Sequence, residues 1–117
     1  FWIRVSRRRR PVAEYDRWAA YYDLVFTGLE GEAEFYVGQA LRGRVPVLEL
    51  GAGTGRIAIP IALSGVPVTA VDCSRAMLRS LREKARAVKV AKGALTVVED
   101  DMRTLAKVDG SFPLIVM

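Results

Sequence analysis

The stretch Val47-Leu48-Glu49-Leu50-Gly51-Ala52-Gly53-Thr54-Gly55-Arg56 constrains this chain more than any other. An apolar run carrying an acid enters a turn with glycine at three alternate positions. The following segment, Ile57 to Leu63, predicts a helix, and Val66 to Val71 predicts a second strand that leads into Asp72. A strand, a glycine turn and a helix bring nearly bare backbone against a ligand at the helix N-terminus. The second acid then arrives at the carboxyl end of the neighbouring parallel strand. That is how a doubly wound sheet holds a nucleoside.

The rest of the chain fits around this unit. Glu14 to Phe26 carries Tyr15, Trp18, Ala19, Tyr22 and Phe26 at helical spacing. Gly28 and Gly31 interrupt it before a second helix, Glu32 to Leu41, and Gly43 and Pro46 punctuate ahead of the first strand, Val47 to Leu50. The third helix starts just after Gly55 and stops at Gly65, with Pro60 inside it as a local departure from ideal helix chemistry. Ser74 caps a helix running from Arg75 to about Val90, with Ala76, Met77, Leu81, Ala85 and Val88 as its buried stripe. Strand three is Ala94 to Val98 and strand four Phe112 to Met117. Alternating strands and helices predict an α/β parallel sheet.

With 117 residues, 51% of them hydrophobic, the chain can bury one core and is at most one domain. Phe1 at the start and the apolar run Phe112 to Met117 at the end predict part of a longer polypeptide. The net charge of +5 is concentrated in Arg7 to Arg10, read as a basic N-terminal tail over residues 1–13. Such a run can bind nucleic acid, but no aromatic residues interleave after it to stack bases. Pro11-Val12-Ala13-Glu14 follows the arginines where an export signal needs an apolar segment. No stretch approaches the roughly 18 apolar residues of a membrane span. The single Cys73 permits no internal disulfide, which fits the cytoplasm.

Three ligand classes compete for a glycine turn after a strand. A phosphate-binding loop needs a Lys after its last glycine, and Arg56 stands there. A dinucleotide fingerprint needs glycine at position 56, where the Arg56 side chain would obstruct close helix–strand packing. The third class is a turn with alternate glycines preceded by an acid. Glu49 would repel a pyrophosphate but attract the ammonium group of an amino-acid tail. S-adenosylmethionine has that tail, a ribose and an adenine, and no phosphate.

At this point a family resemblance emerges. The stretch from Val47 to Arg56 closely resembles the first motif of class I S-adenosylmethionine-dependent methyltransferases. Val71-Asp72-Cys73-Ser74-Arg75-Ala76-Met77-Leu78 resembles the family's next segment, and Glu99-Asp100-Asp101-Met102-Arg103 is similar to its third-strand motif. Phe112-Pro113-Leu114-Ile115-Val116 is similar to the fourth strand, with Pro113 where an Asp is usual. Tyr21-Tyr22-Asp23-Leu24 resembles the Tyr-Asp element of the N-terminal helix that closes over the cofactor. The resemblance covers residues 14–117.

It implies a Rossmann-like doubly wound sheet of order 3-2-1-4, truncated after the fourth strand, with N-terminal helices. It further implies that Gly51, Ala52 and Gly53 form the turn facing the methionine part, with Glu49 holding its ammonium directly or through water. Asp72 takes the ribose hydroxyls, and Cys73 and Met77 border the adenine and ribose. Asp101 accepts from the adenine amino group, Met102 lies beside the ring, and Tyr22 contacts the methionine end. Asp100, where the family often has glycine, adds a second acid beside Asp101. No catalytic base and no metal site are assigned.

The expected reaction is methyl transfer, with a small molecule as the default acceptor. Two other readings stay open: a non-catalytic nucleotide-binding module, and a nucleic-acid methyltransferase with a basic arm. An open strand-four edge exposing Leu114, Ile115 and Val116, each worth roughly 1.5–3 kcal/mol when buried, predicts self-association and no turnover by this chain alone.

Overall fold

The computed structural model describes Asp16, residues 19–25 and residues 27–117. In chain order the elements are α1 (Ala19–Val25), α2 (Glu32–Gly43), β1 (Val47–Leu50), α3 (Ala58–Leu63), β2 (Val68–Asp72), α4 (Arg75–Ala87), β3 (Leu95–Glu99) and β4 (Leu114–Val116). All pairings are parallel and the sheet order is β3-β2-β1-β4. The fold is therefore α/β and Rossmann-like, with the order that the resemblance implied. The arginine run and Tyr15, Trp18 and Phe26 of the first helical stripe lie outside the described residues.

β1 is central, and its Val47 and Leu48 are buried against β2 on one side and β4 on the other. Ile61 of α3, Val71 of β2 and Met77, Leu78 and Leu81 of α4 are among the largest fully buried side chains. α4 shows why an amphipathic sequence makes a helix here. Its apolar residues form one stripe on the sheet, while Arg75, Arg79, Arg82, Glu83 and Lys84 take the other faces. The expected stripe needs correction: Leu78 is buried, Ala76 is only half-buried and Val88 is half-exposed, lying past the helix end.

Several boundaries move for identifiable reasons. α4 stops at Ala87 rather than near Val90 because Lys89 adopts a left-handed φ of 58°. There the amides of Lys89 and Val90 turn back to the carbonyls of Arg86 and Ala85, closing the helix end. β2 starts at Val68, not Val66, since Pro67 has no N–H to give; its carbonyl still accepts from Val47 N–H. β3 is shifted one residue on from the expected Ala94 to Val98. β4 is shorter than expected and starts after Pro113.

α3 starts at Ala58, after a turn, and not directly after Gly55. Pro60 is its third residue, where a helix has no internal partner for the N–H. β4 also departs from expectation, because Val116 is buried and Leu114 is half-buried, leaving only Ile115 exposed at 58%. The uncovered apolar surface of that strand is about one side chain, not three. Among the described residues, no helix is long and apolar enough to cross a membrane.

Candidate functional site

The sheet register brings the first glycine turn and the second acid together. Leu50 pairs with Val71, so the chain leaving β1 at Gly51 emerges beside Asp72. Ala52 N–H donates to the Val71 carbonyl at 2.9 Å, which draws the turn across the end of β2. Asp72 then braces both loops: Oδ2 accepts from Gly53 N–H at 2.8 Å, and Oδ1 accepts from Ser74 N–H at 2.8 Å. Gly51 and Gly53 have φ of 70° and 55°, the left-handed region that side chains disfavour. A Cβ on either would find its nearest neighbour only at 3.8 Å (Met102) or 4.0 Å (Tyr22). Their backbone thus faces open space.

That space is a cleft of about 560 Å³ across the carboxyl ends of β1, β2 and β3. Gly51, Gly53, Asp72, Cys73, Met77, Asp101, Met102 and Tyr22, all singled out in the sequence, line it. Asp100 and Arg103 line it too. Met77 reaches it from α4 while 1% exposed. Burial and the adjacent Asp72 carboxylate push the Cys73 thiol pKa up, so it is no thiolate nucleophile at neutral pH.

Two expected residues stand elsewhere. Ala52 is buried in the hydrophobic core under the turn, because its amide joins β2 and turns its methyl inward. Glu49 is 5% exposed and lies behind the turn, not on the cleft wall. Ala58 N–H, at the start of α3, hydrogen-bonds to its carboxyl. Oε2 is buried with no hydrogen-bond partner among the described residues. Burial pushes the Glu49 pKa up to about 8, against the opposing pull of the Ala58 N–H and the Arg56 charge, with Asp72 adding to the rise.

The acids after β3 divide their work. Asp100 is buried, and its oxygens accept from Asp101 N–H at 2.8 Å and Lys107 N–H at 2.7 Å, closing the loop on itself. Asp101 is half-buried and ion-paired with Arg103. The tandem acids therefore differ in role: Asp100 shapes the loop and Asp101 presents its carboxylate at the rim.

Sequence reasoning missed the polar ties of the N-terminal segment. Asp23 accepts from the Thr54 hydroxyl and from Lys84 Nζ at 2.7 Å. Asp16 accepts from the Ser74 hydroxyl and from Ala76 N–H at 3.1 Å, adding an acid to the start of α4. The Ser74 hydroxyl itself accepts from Met77 N–H, the expected cap. Arg56 pairs with Glu32 at 2.8 Å and covers Gly28. The tight glycine is Gly55, where a Cβ would stand 2.8 Å from Leu81.

The model of a family described as a methyltransferase domain matches residues 47–117. Ribosomal RNA small subunit methyltransferase A of Magnetococcus marinus is 46% identical over 55 residues, covering 47% of this chain and 18% of that protein. The CcbJ methyltransferase from Streptomyces caelestis is 34% identical, with a TM-score of 0.64 over 86% of this chain and 41% of its own. SAH-bound Podospora anserina methyltransferase PaMTH1 has a TM-score of 0.69 at 19% identity, over 89% of this chain and 47% of its own. At that identity the likeness is one of fold. The chain spans less than a third of the length of the curated relatives it matches.

Proposed function

This chain belongs to the methyltransferase domain family, and from that premise we propose that its cleft binds S-adenosylmethionine for methyl transfer to a small-molecule acceptor. The observation that carries the reading is the charge of the cleft. Among the described residues, Asp72, Asp100 and Asp101 line it together with one cation, Arg103, itself paired with Asp101. Such a wall suits a ligand bearing ammonium and sulfonium charges and repels a pyrophosphate.

The residues present fit that group. Gly51 and Gly53 leave a bare backbone cradle, and Glu49 keeps an unpartnered Oε2 behind the turn. Asp72 would accept from the ribose hydroxyls with lone pairs not used by Gly53 and Ser74. Asp101 would take the adenine amino group, with Cys73, Met77 and Met102 around the ring. Tyr22 would cover the methionine end, and Glu49 would act on the ammonium through a bridging water. Bound S-adenosylmethionine supplies an already activated methyl group, so these residues bind and orient it for in-line displacement. The cleft volume lies within the usual range of small-molecule sites, which supports a small acceptor.

Calorimetric titration with S-adenosylmethionine, S-adenosylhomocysteine and NAD tests the reading. Binding of the first two and not of NAD is expected. Asp72→Ala should weaken it by about ten- to a hundredfold, the value of charge-assisted hydrogen bonds. NAD binding without a response to S-adenosylmethionine would overturn it.

A further inference from the structure

We infer that Asp23 is a positioning residue for cofactor binding, holding Tyr22 over the glycine turn by tying α1 at once to that turn and to α4. The inference rests on the reading of the cleft as an S-adenosylmethionine site. It starts from how α1 is held. Its seven described residues are too few to make a stable helix alone. None of its described residues is buried, and Tyr21, Leu24 and Val25 are 59%, 79% and 67% exposed. Apolar packing of these residues contributes little to its placement.

Polar ties do more. Thr54 lies between Gly53 and Gly55, is 1% exposed, and donates its hydroxyl to Asp23 Oδ1. Lys84, three turns along α4 from the Ser74 cap, donates to Asp23 Oδ2. One carboxylate therefore joins α1 both to the glycine turn and to α4, the two elements that contribute Gly51, Gly53 and Met77 to the cleft. Burial favours the neutral acid, but the hydrogen bonds from Lys84 and Thr54 and the Lys84 charge outweigh it and hold the Asp23 pKa below the ordinary range. The group is charged at neutral pH, which strengthens both bonds. Tyr22 precedes it directly, with its ring edge 4.0 Å from where a Cβ on Gly53 would stand. Asp16 anchors the same segment separately, on the start of α4.

Calorimetry with S-adenosylhomocysteine on the wild-type chain, Asp23→Ala, Tyr22→Ala and the double variant tests this. Each single variant should bind about tenfold more weakly. The double variant should bind no more weakly than Tyr22→Ala, because Asp23 acts through Tyr22. Losses that add in the double variant, or an unchanged affinity in Asp23→Ala, would overturn the inference. Thr54→Val and Thr54→Ser guard against misfolding as the cause, since both nearly keep the residue's size. Thr54→Val should reproduce the loss and Thr54→Ser should restore affinity; equal affinities would count against the bridge. A wild-type chain that binds neither S-adenosylmethionine nor its product would defeat the proposed function itself. Wild-type binding with an indifferent Asp23→Ala defeats the positioning role alone.

Discussion

Among the described residues, Glu49, behind the glycine turn, is the acid that burial perturbs most. Its carboxyl, raised to about 8, lies above the roughly 4.3 of an unfolded glutamate. The folded chain thus holds a proton that the unfolded chain releases. The stability this confers is fully present below about pH 4 and is lost as pH rises towards about 8. Glu49→Gln should flatten that decline, read as the urea midpoint across the same window. If an ammonium group binds near Oε2, ionised Glu49 is favoured and binding releases a proton. Calorimetry in buffers of different ionisation enthalpy should detect that release in the wild type and not in Glu49→Gln. The acid's presence beside the glycines was legible in the sequence. Its seat under α3 was not, because it depends on the contact between Glu49 and Ala58 N–H that only the folded turn creates. The ties made by Asp23 and Asp16 are not legible for the same reason: their partners are 31 to 61 positions away in the chain.

Among the elements, the strand–turn–helix unit is the most tightly specified. Gly55 has a φ of 89°, and a Cβ there would meet Leu81 at 2.8 Å and Ile59 at 3.0 Å. Gly65 has nearly the same φ of 88° but open space around it. Gly55→Ala should therefore cost about 1–3 kcal/mol from overpacking beyond a backbone term of roughly 1–2 kcal/mol. Gly65→Ala should cost only the backbone term. Denaturant unfolding of the two variants separates these contributions. β1 was read from the sequence with its bounds unchanged, since a central apolar strand followed by glycine has few alternatives. The end of α4 is not legible in the sequence because a lysine, not a glycine, takes the left-handed position. β4 was overextended because apolar content continues beyond the three residues that pair with β1.

At the scale of the whole molecule, a cofactor seated in the cleft as proposed would couple β1, β2, β3 and α1 thermodynamically. S-adenosylhomocysteine at a hundredfold its Kd should stabilise the chain by about 2.7 kcal/mol. For a domain near this size that raises Tm by roughly 10 °C, measurable in a thermal scan, and NAD should produce no shift. What the sequence by itself determined is the parallel α/β class and most of the cleft lining. Alternating elements leave few sheet topologies, and a glycine turn at a strand end presents backbone wherever the sheet is built. What only the tertiary structure decided is which acids face the cleft and what holds its cover. Those outcomes depend on burial, on hydrogen-bond partners remote in the chain and on which way a side chain turns after a bend. Local residue pattern carries no record of any of the three.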